Sequence, residues 1–201
     1  IGYYLSKSLS KKKDKIIGID NLNNYYDINL KKHRLINLKS KNFSYTKIDI
    51  KNYKKLRYVF KKNKFDIVYH LAAQAGVRYS IESPETYFDN NLRGFFNILE
   101  CCREFKIKNL IFASTSSVYG KQNNFPLNEN NSTDKPLSFY AATKKCNEIM
   151  AYSYSEIYKL KCTAIRFFTV YGPLGRPDMA LFKFSNSIKK NKNLDLYNYG
   201  K

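Results

Sequence analysis

Between Asn109 and Lys145 a short apolar run, Asn109-Leu110-Ile111-Phe112-Ala113, leads into a cluster of hydroxyls, Ser114-Thr115-Ser116-Ser117. The run reads as a buried strand, and in an open α/β sheet ligands lie just past the carboxyl ends of the strands. After a polar loop, Tyr140 and Lys144 follow four residues apart in a segment with helical character. Residues at that spacing share one helical face. A phenol, an ammonium and several hydroxyls are therefore expected to converge on one point.

Charge dictates what such a point does. A free tyrosine titrates near ~10 and is a poor base at neutral pH. An ammonium one turn away favours the phenolate, and a base works best when its pKa lies near the working pH. Tyr140 is thus the candidate base for a substrate hydroxyl, Lys144 the group that activates it, and Thr115 the carrier of a hydrogen bond between the two oxygens.

The rest of the chain alternates strands and helices. Ile1 to Ser10 reads as an amphipathic helix and Ile16 to Ile19 as a strand ending in Asp20. A carboxylate there suits a ribose hydroxyl, and it follows Gly2 by 18 residues, close to the ~20 of a dinucleotide-binding βαβ unit. Gly2 would be the last glycine of a phosphate loop. Asn23 to Lys39 reads as a helix, Phe43 to Ile48 as a strand ending in Asp49-Ile50, a pair placed to edge an adenine. Tyr53 to Lys62 reads as a helix with Leu56, Val59 and Phe60 inward, and Phe65 to Leu71 as a buried strand. Small residues follow in Ala72-Ala73-Gln74-Ala75-Gly76, where a ligand can approach the backbone. A long helix is expected from Glu85 to Phe105, a strand at Cys162 to Phe168, and a helix from Met179 to Lys190. The pattern is α/β with a parallel sheet.

Composition narrows the function. The net charge of +20 raises nucleic-acid binding, but the lysines are scattered (Lys11-Lys12-Lys13, Lys31-Lys32, Lys61-Lys62, Lys189-Lys190) and no basic patch is concentrated. The milder expectation is attraction of an anionic substrate. Cys101, Cys102, Cys146 and Cys162 form no metal-ligand spacing, nor do His33 and His70, so no metal is expected and reduced thiols fit a cytosolic protein. No apolar run reaches the ~18 residues of a membrane span. The 201 residues begin at Ile1 and read as part of a longer protein.

Several linked motifs then resemble one family: Gly18-Ile19-Asp20-Asn21-Leu22-Asn23-Asn24-Tyr25-Tyr26-Asp27, His70 to Arg78, Ser114 to Gly120, Tyr140 to Lys145, Arg166 to Pro173 and Gly175 to Ala180. In order and spacing the chain resembles the NAD-dependent epimerase/dehydratases, the extended short-chain dehydrogenase/reductases, and within them those acting on UDP-glucuronate. The resemblance implies a Rossmann-like doubly wound parallel sheet lacking its first strand, with helices on both faces. It implies an NAD-binding domain over residues 1–168 and the start of a nucleotide-sugar-binding domain over 169–201.

Bound NAD is implied, with Lys144 on the nicotinamide ribose, Asp20 and Asn21 on the adenosine side, Asp49 and Ile50 at the adenine, Leu71, Ala72 and Ala73 along its middle, and Asn90 close by. The implied reaction is 4-epimerisation of a UDP-sugar through a 4-keto intermediate. Sugar dehydratases of the family carry an Asp-Glu pair after the threonine. Ser116 and Ser117 stand there instead, which disfavours elimination of water. Ser116, Ser117, Thr169, Arg176 and Arg78 are the candidates to meet a sugar carboxylate or diphosphate. Epimerisation of another UDP-sugar, decarboxylation of UDP-glucuronate, and a non-catalytic NAD-binding module are the alternatives. A homodimer through the helices around Glu85–Phe105 and Tyr140–Tyr158 is implied by analogy.

Overall fold

A computed structural model describes residues 1–123, 125–194 and 196. Its elements run α1 (Gly2–Lys11), β1 (Ile16–Asp20), α2 (Ile28–Ile36), β2 (Phe43–Lys47), α3 (Tyr53–Lys62), β3 (Ile67–His70), α4 (Tyr79–Glu82), α5 (Pro84–Tyr87), a π-helical turn (Phe88–Arg93), α6 (Gly94–Glu104), β4 (Asn109–Thr115), a 3₁₀ turn (Ser116–Tyr119), α7 (Phe139–Tyr158), β5 (Lys161–Phe167) and α8 (Ala180–Lys189). All strand pairs are parallel and helices cover both faces, as the alternation of elements predicts.

The strands form two sheets rather than one. β1 pairs with β2, Asp20 opposite Lys47, while β3, β4 and β5 pair in that order, with His70 opposite Phe112 and Thr115 opposite Phe167. Among the described residues β1 and β3 each have one hydrogen-bonded neighbour. The sequence reading of Phe65 to Leu71 as a buried strand is half right: β3 forms, but Ile67 and Tyr69, which share one of its faces, are exposed.

The core lies around β4. Leu110 and Phe112 are buried among Leu56 and Phe60 of α3, Phe95, Ile98, Leu99, Cys101 and Cys102 of α6, and Ala151 of α7. The apolar spacing of Tyr53–Lys62 sets α3 as expected, with Leu56, Val59 and Phe60 inward and Asn52 capping its start by accepting from Lys55 N (3.0 Å). Two helices differ from expectation. The segment from Asn23 becomes helical only at Ile28, because Asp20, Asn21, Asn23 and Asp27 turn their side-chain oxygens onto backbone N–H groups two residues on (2.7–3.3 Å). Such local bonds compete with the helix. The helix after Pro84 is interrupted by the π turn that carries Asn90 and Asn91, a distortion that recurs at functional sites. The expected boundary at residue 168 falls just after β5; beyond it Asp195 and residues 197–201 lie outside the described residues.

Candidate functional site

A cleft of about 2080 Å³ opens between the two sheets. Its walls include Gly2, Asp20, Asn21, Leu71, Ala72, Ala73 and Asn90, and also Thr115, Ser116, Ser117, Tyr140, Lys144, Thr169, Arg176 and Arg78. Residues of all six motifs, with Gly2 and Asn90, thus line one cleft. Asp49 lies just outside this lining but joins it through Asn21, whose Nδ2 donates to its carboxylate (3.2 Å).

Helix α7 positions the reacting groups. Ser138 caps it by accepting from Ala141 N (3.1 Å), so Tyr140 lies in the first turn, where orphan N–H groups favour negative charge. One turn on, Lys144 is buried and donates one of its three N–H groups to Ala113 O of β4 (2.8 Å). Burial lowers its pKa to about 8. A further turn on, Glu148 accepts from Ser114 (2.5 Å) and from Arg166 through Nε and Nη2 (3.0 and 2.9 Å), which pins α7 to β4 and β5.

The charge on Tyr140 is set differently from expectation. Burial holds the phenol above its ordinary pKa, and what draws it back is the Thr115 hydroxyl, then the Arg176 guanidinium. Lys144, aimed at Ala113 O, is not among these influences. Arg176 is itself half-buried. Burial works against its charge, but Asp178 outweighs burial, accepting from Nε (3.0 Å) and from Nη2, so its pKa is raised. Tyr25 donates to the same carboxylate (3.4 Å).

Other assigned residues fall into place unevenly. Thr115 accepts from Ser117 N and donates to Ser117 Oγ (3.2 Å each), ordering the serines of the 3₁₀ turn. Asp20 ends β1 with its carboxylate exposed and takes Leu22 N (2.7 Å). Gly2 opens α1, but an added Cβ there would meet Leu71 Cδ1 at an ordinary 3.7 Å, so contact does not demand a glycine. Ile50 packs its side chain into the core against Gly94, and its carbonyl accepts from Asn97 Nδ2 (2.8 Å). Asn90 faces the cleft and donates to Thr86 O (2.8 Å). Thr169 is exposed at the cleft mouth.

Sequence reasoning passed over the buried network behind Tyr140. Asn91 accepts from Gln74 N (2.8 Å) and donates to Gln74 O and Thr143 Oγ1 (3.0 Å each), while Thr143 donates to Tyr140 O (2.8 Å). Asn147 donates to Asn91 O (2.8 Å). The signal was present: Asn is a poor interior helix residue, and a second one beside Asn90 in an apolar segment needs a partner.

The donor set suits a dinucleotide. A buried ammonium with no carboxylate partner among the described residues, an accepting carboxylate at the end of β1 and a wall of small residues between them match an ammonium-to-ribose contact, a ribose diol and a close backbone approach. No group of three or more His, Cys, Asp or Glu side chains among the described residues is arranged to hold a metal.

Comparison with known proteins points the same way. The chain is 52% identical over 200 residues to "Protein CapI" of Staphylococcus aureus, all of this chain against 60% of that protein. It is 44% identical over 201 residues to a UDP-glucuronate 4-epimerase of Thermodesulfobacterium geofontis, covering 62% of it. The crystal structure of a Bacillus cereus UDP-glucuronic acid 4-epimerase, in complex with UDP-glucuronic acid and NAD, superposes with a TM-score of 0.89 at 32% identity, over 96% of this chain and 61% of that one. The chain thus spans about three fifths of the length of these relatives. The sequence pattern of the NAD dependent epimerase/dehydratase family extends over residues 1–201, the whole length that builds this cleft, and the chain belongs to that family.

Proposed function

We propose that the chain is the cofactor-binding part, residues 1–168, and the beginning of the sugar-binding part, from 169, of a nucleotide-sugar 4-epimerase that interconverts UDP-glucuronate and UDP-galacturonate. What carries the reading is that Thr115, Tyr140 and Lys144 line one cleft with Arg176 and a pair of serines. The relatives named for this activity support it.

Bound NAD would supply a reversible hydride acceptor for C4 of the sugar. Gly2, Asp20, Asn21, Asp49, Ile50, Leu71 to Ala73, Asn90 and Lys144 would hold it. The Tyr140 phenolate takes the proton of the sugar O4, leaving a 4-keto sugar, and gives it back once the sugar has presented its other face. Thr115 carries the hydrogen bond between O4 and the phenolate. Arg176 lowers the cost of that phenolate at neutral pH. Ser116, Ser117, Thr169, Arg176 and Arg78 receive the sugar acid and diphosphate. Serines have no proton to exchange near neutral pH, so O4 chemistry proceeds without loss of water.

A homodimer through the α6 and α7 faces belongs to the same proposal. Phe96, Ile149 and Tyr152 stand exposed there, apolar surface suited to a second copy.

The test is turnover by the full protein that carries this chain. Incubation with UDP-glucuronate should give UDP-galacturonate by chromatography, and Tyr140→Phe should lower kcat by roughly 10² to 10⁴. Turnover of UDP-glucose or UDP-N-acetylglucosamine in place of UDP-glucuronate would keep the base and discard the carboxylate contacts. Absence of turnover on all three would overturn the reading.

A further inference from the structure

The loop from Gly172 to Asp178 carries Arg176, yet side chains of the opposite rim hold it. Tyr4 of α1 donates to Pro173 O (3.1 Å). Arg34 of α2 donates to Leu174 O through Nε and Nη2 (3.1 and 2.7 Å), and Nη2 also reaches Gly175 O (3.0 Å). Its remaining nitrogen, Nη1, donates to the Tyr26 hydroxyl (2.6 Å), and the guanidinium lies 5.4 Å from the Tyr26 ring centroid. Tyr25, the neighbouring residue, reaches Asp178. Three consecutive peptide carbonyls just before Arg176 are therefore held from outside the loop.

The backbone needs that restraint. Gly172 has φ +138° and Leu174 φ +55°, the left-handed region that a leucine rarely adopts. A residue in such a conformation persists when its surroundings over-determine it. The carbonyl of this one leucine takes two of the three Arg34 nitrogens. A planar fork meets that demand, and the single ammonium of a lysine does not.

Resting on the reading that Arg176 faces the sugar acid and the base, we propose that Arg34 is a positioning residue for Arg176: helix α2, on the cofactor side of the cleft, sets where the substrate-side guanidinium stands. The Arg34 guanidinium donates to the Leu174 and Gly175 carbonyls and to Tyr26. It acts through Leu174 and Gly175, and Tyr26 in turn holds Arg34.

A pH titration of Tyr140 tests this without turnover. Ultraviolet difference absorbance of the full protein, with and without Tyr140→Phe in each background, isolates the phenolate. Arg34→Lys should raise the Tyr140 titration as far as Arg176→Ala does, and the Arg34→Lys/Arg176→Ala double variant should raise it no further, since both act through one contact. Tyr26→Phe, a gentler change, should shift it the same way by less. In turnover, Arg34→Lys should raise KM for UDP-glucuronate about tenfold and leave KM for UDP-glucose within about twofold. An unmoved titration in both Arg34→Lys and Tyr26→Phe, beside a moved one in Arg176→Ala, overturns the proposal. So does an unmoved titration in Arg176→Ala. Lack of activity on UDP-glucuronate with the expected titration pattern overturns the substrate reading alone and supports the clasp.

Discussion

β4, with a strand on each side and α6 and α7 in the layers around it, buries Leu110 and Phe112 almost completely, whereas β1, paired with β2 alone, buries none of its five residues. The same contrast runs through the two halves. Thr115, Lys144, Thr143, Asn91 and Asn147 are buried, while α1, β2 and α8 have no buried residue among those described. The groups assigned to proton transfer are thus fixed by dense packing around β4. The groups assigned to the cofactor's adenosine end and the loop bearing Arg176 are fixed by polar side-chain bonds, local in the Asx turns and long-range in the Asn21–Asp49 bond and the Arg34 fork. Dense packing fixes the reacting groups through many contacts, whereas the rim depends on a few directional bonds.

The contrast breaks most visibly in stability. Phe112→Ala empties a ring that sits 4.9 Å from Phe95 and should cost about 3–5 kcal/mol in urea unfolding. Ile17→Ala, on the open strand, should cost about 1 kcal/mol or less. Similar losses at the two positions would mean that the halves are equally packed. The glycines give the next test. A Cβ on Gly120 would lie 2.2 Å from Lys135 O at φ +62°, so Gly120→Ala should cost about 3 kcal/mol through overpacking and left-handed strain. Gly2→Ala, with ordinary contact around it, should stay within about 0.5 kcal/mol. A large loss at Gly2 would place it in a tighter setting than its neighbours suggest.

Buried polar bonds sharpen the comparison further. Asn91→Ala removes three side-chain bonds in a dry setting and strands Gln74 O and N, a loss of about 2 kcal/mol. It should also loosen Tyr140 through Thr143, so kcat falls with it. Asn21→Ala removes a half-exposed bond to Asp49 and the turn bond from Asn23 N, and should cost about 1 kcal/mol, while weakening cofactor binding.

These halves were not equally legible in the sequence. Apolar spacing marked α3 and a continuous apolar run marked β4, where burial enforces the pattern. Tyr140 and Lys144 converge because helical spacing alone puts them on one face of α7. The start of α2 was misread because Asx turns are side-chain events that apolar spacing does not report. The Arg176–Asp178 pair is local, but Tyr25 and Arg34 lie some 140 or more residues from the loop they hold. No spacing rule links residues that far apart; only the fold brings them together. The split of the sheet agrees with the expected doubly wound sheet lacking its first strand, for the two sheets separate between β1 and β3, the strands that such a first strand would join.

The smallest expected effect asks how dry the packed half is. Lys144 titrates near 8 when folded against an ordinary 10.5, because burial disfavours its charge. Between those values the unfolded chain holds more protons than the folded one, so the Lys144 contribution makes stability rise with pH. Buried thiols oppose it. The Cys101 thiol is pushed up to about 12 and Cys162 to about 11, so the unfolded forms ionise first and their contribution falls above about pH 9. The slopes separate by difference: from pH 7.5 to 8.5, without cofactor, wild type should gain about 0.7 kcal/mol on Lys144→Met. On the open rim Lys31 is also lowered, by burial first, but Asp20 pulls it back up, so the same difference for Lys31→Met should be smaller. A flat difference at Lys144 would mean that water reaches its ammonium from the cleft, and that the packed half is dry only as far as β4.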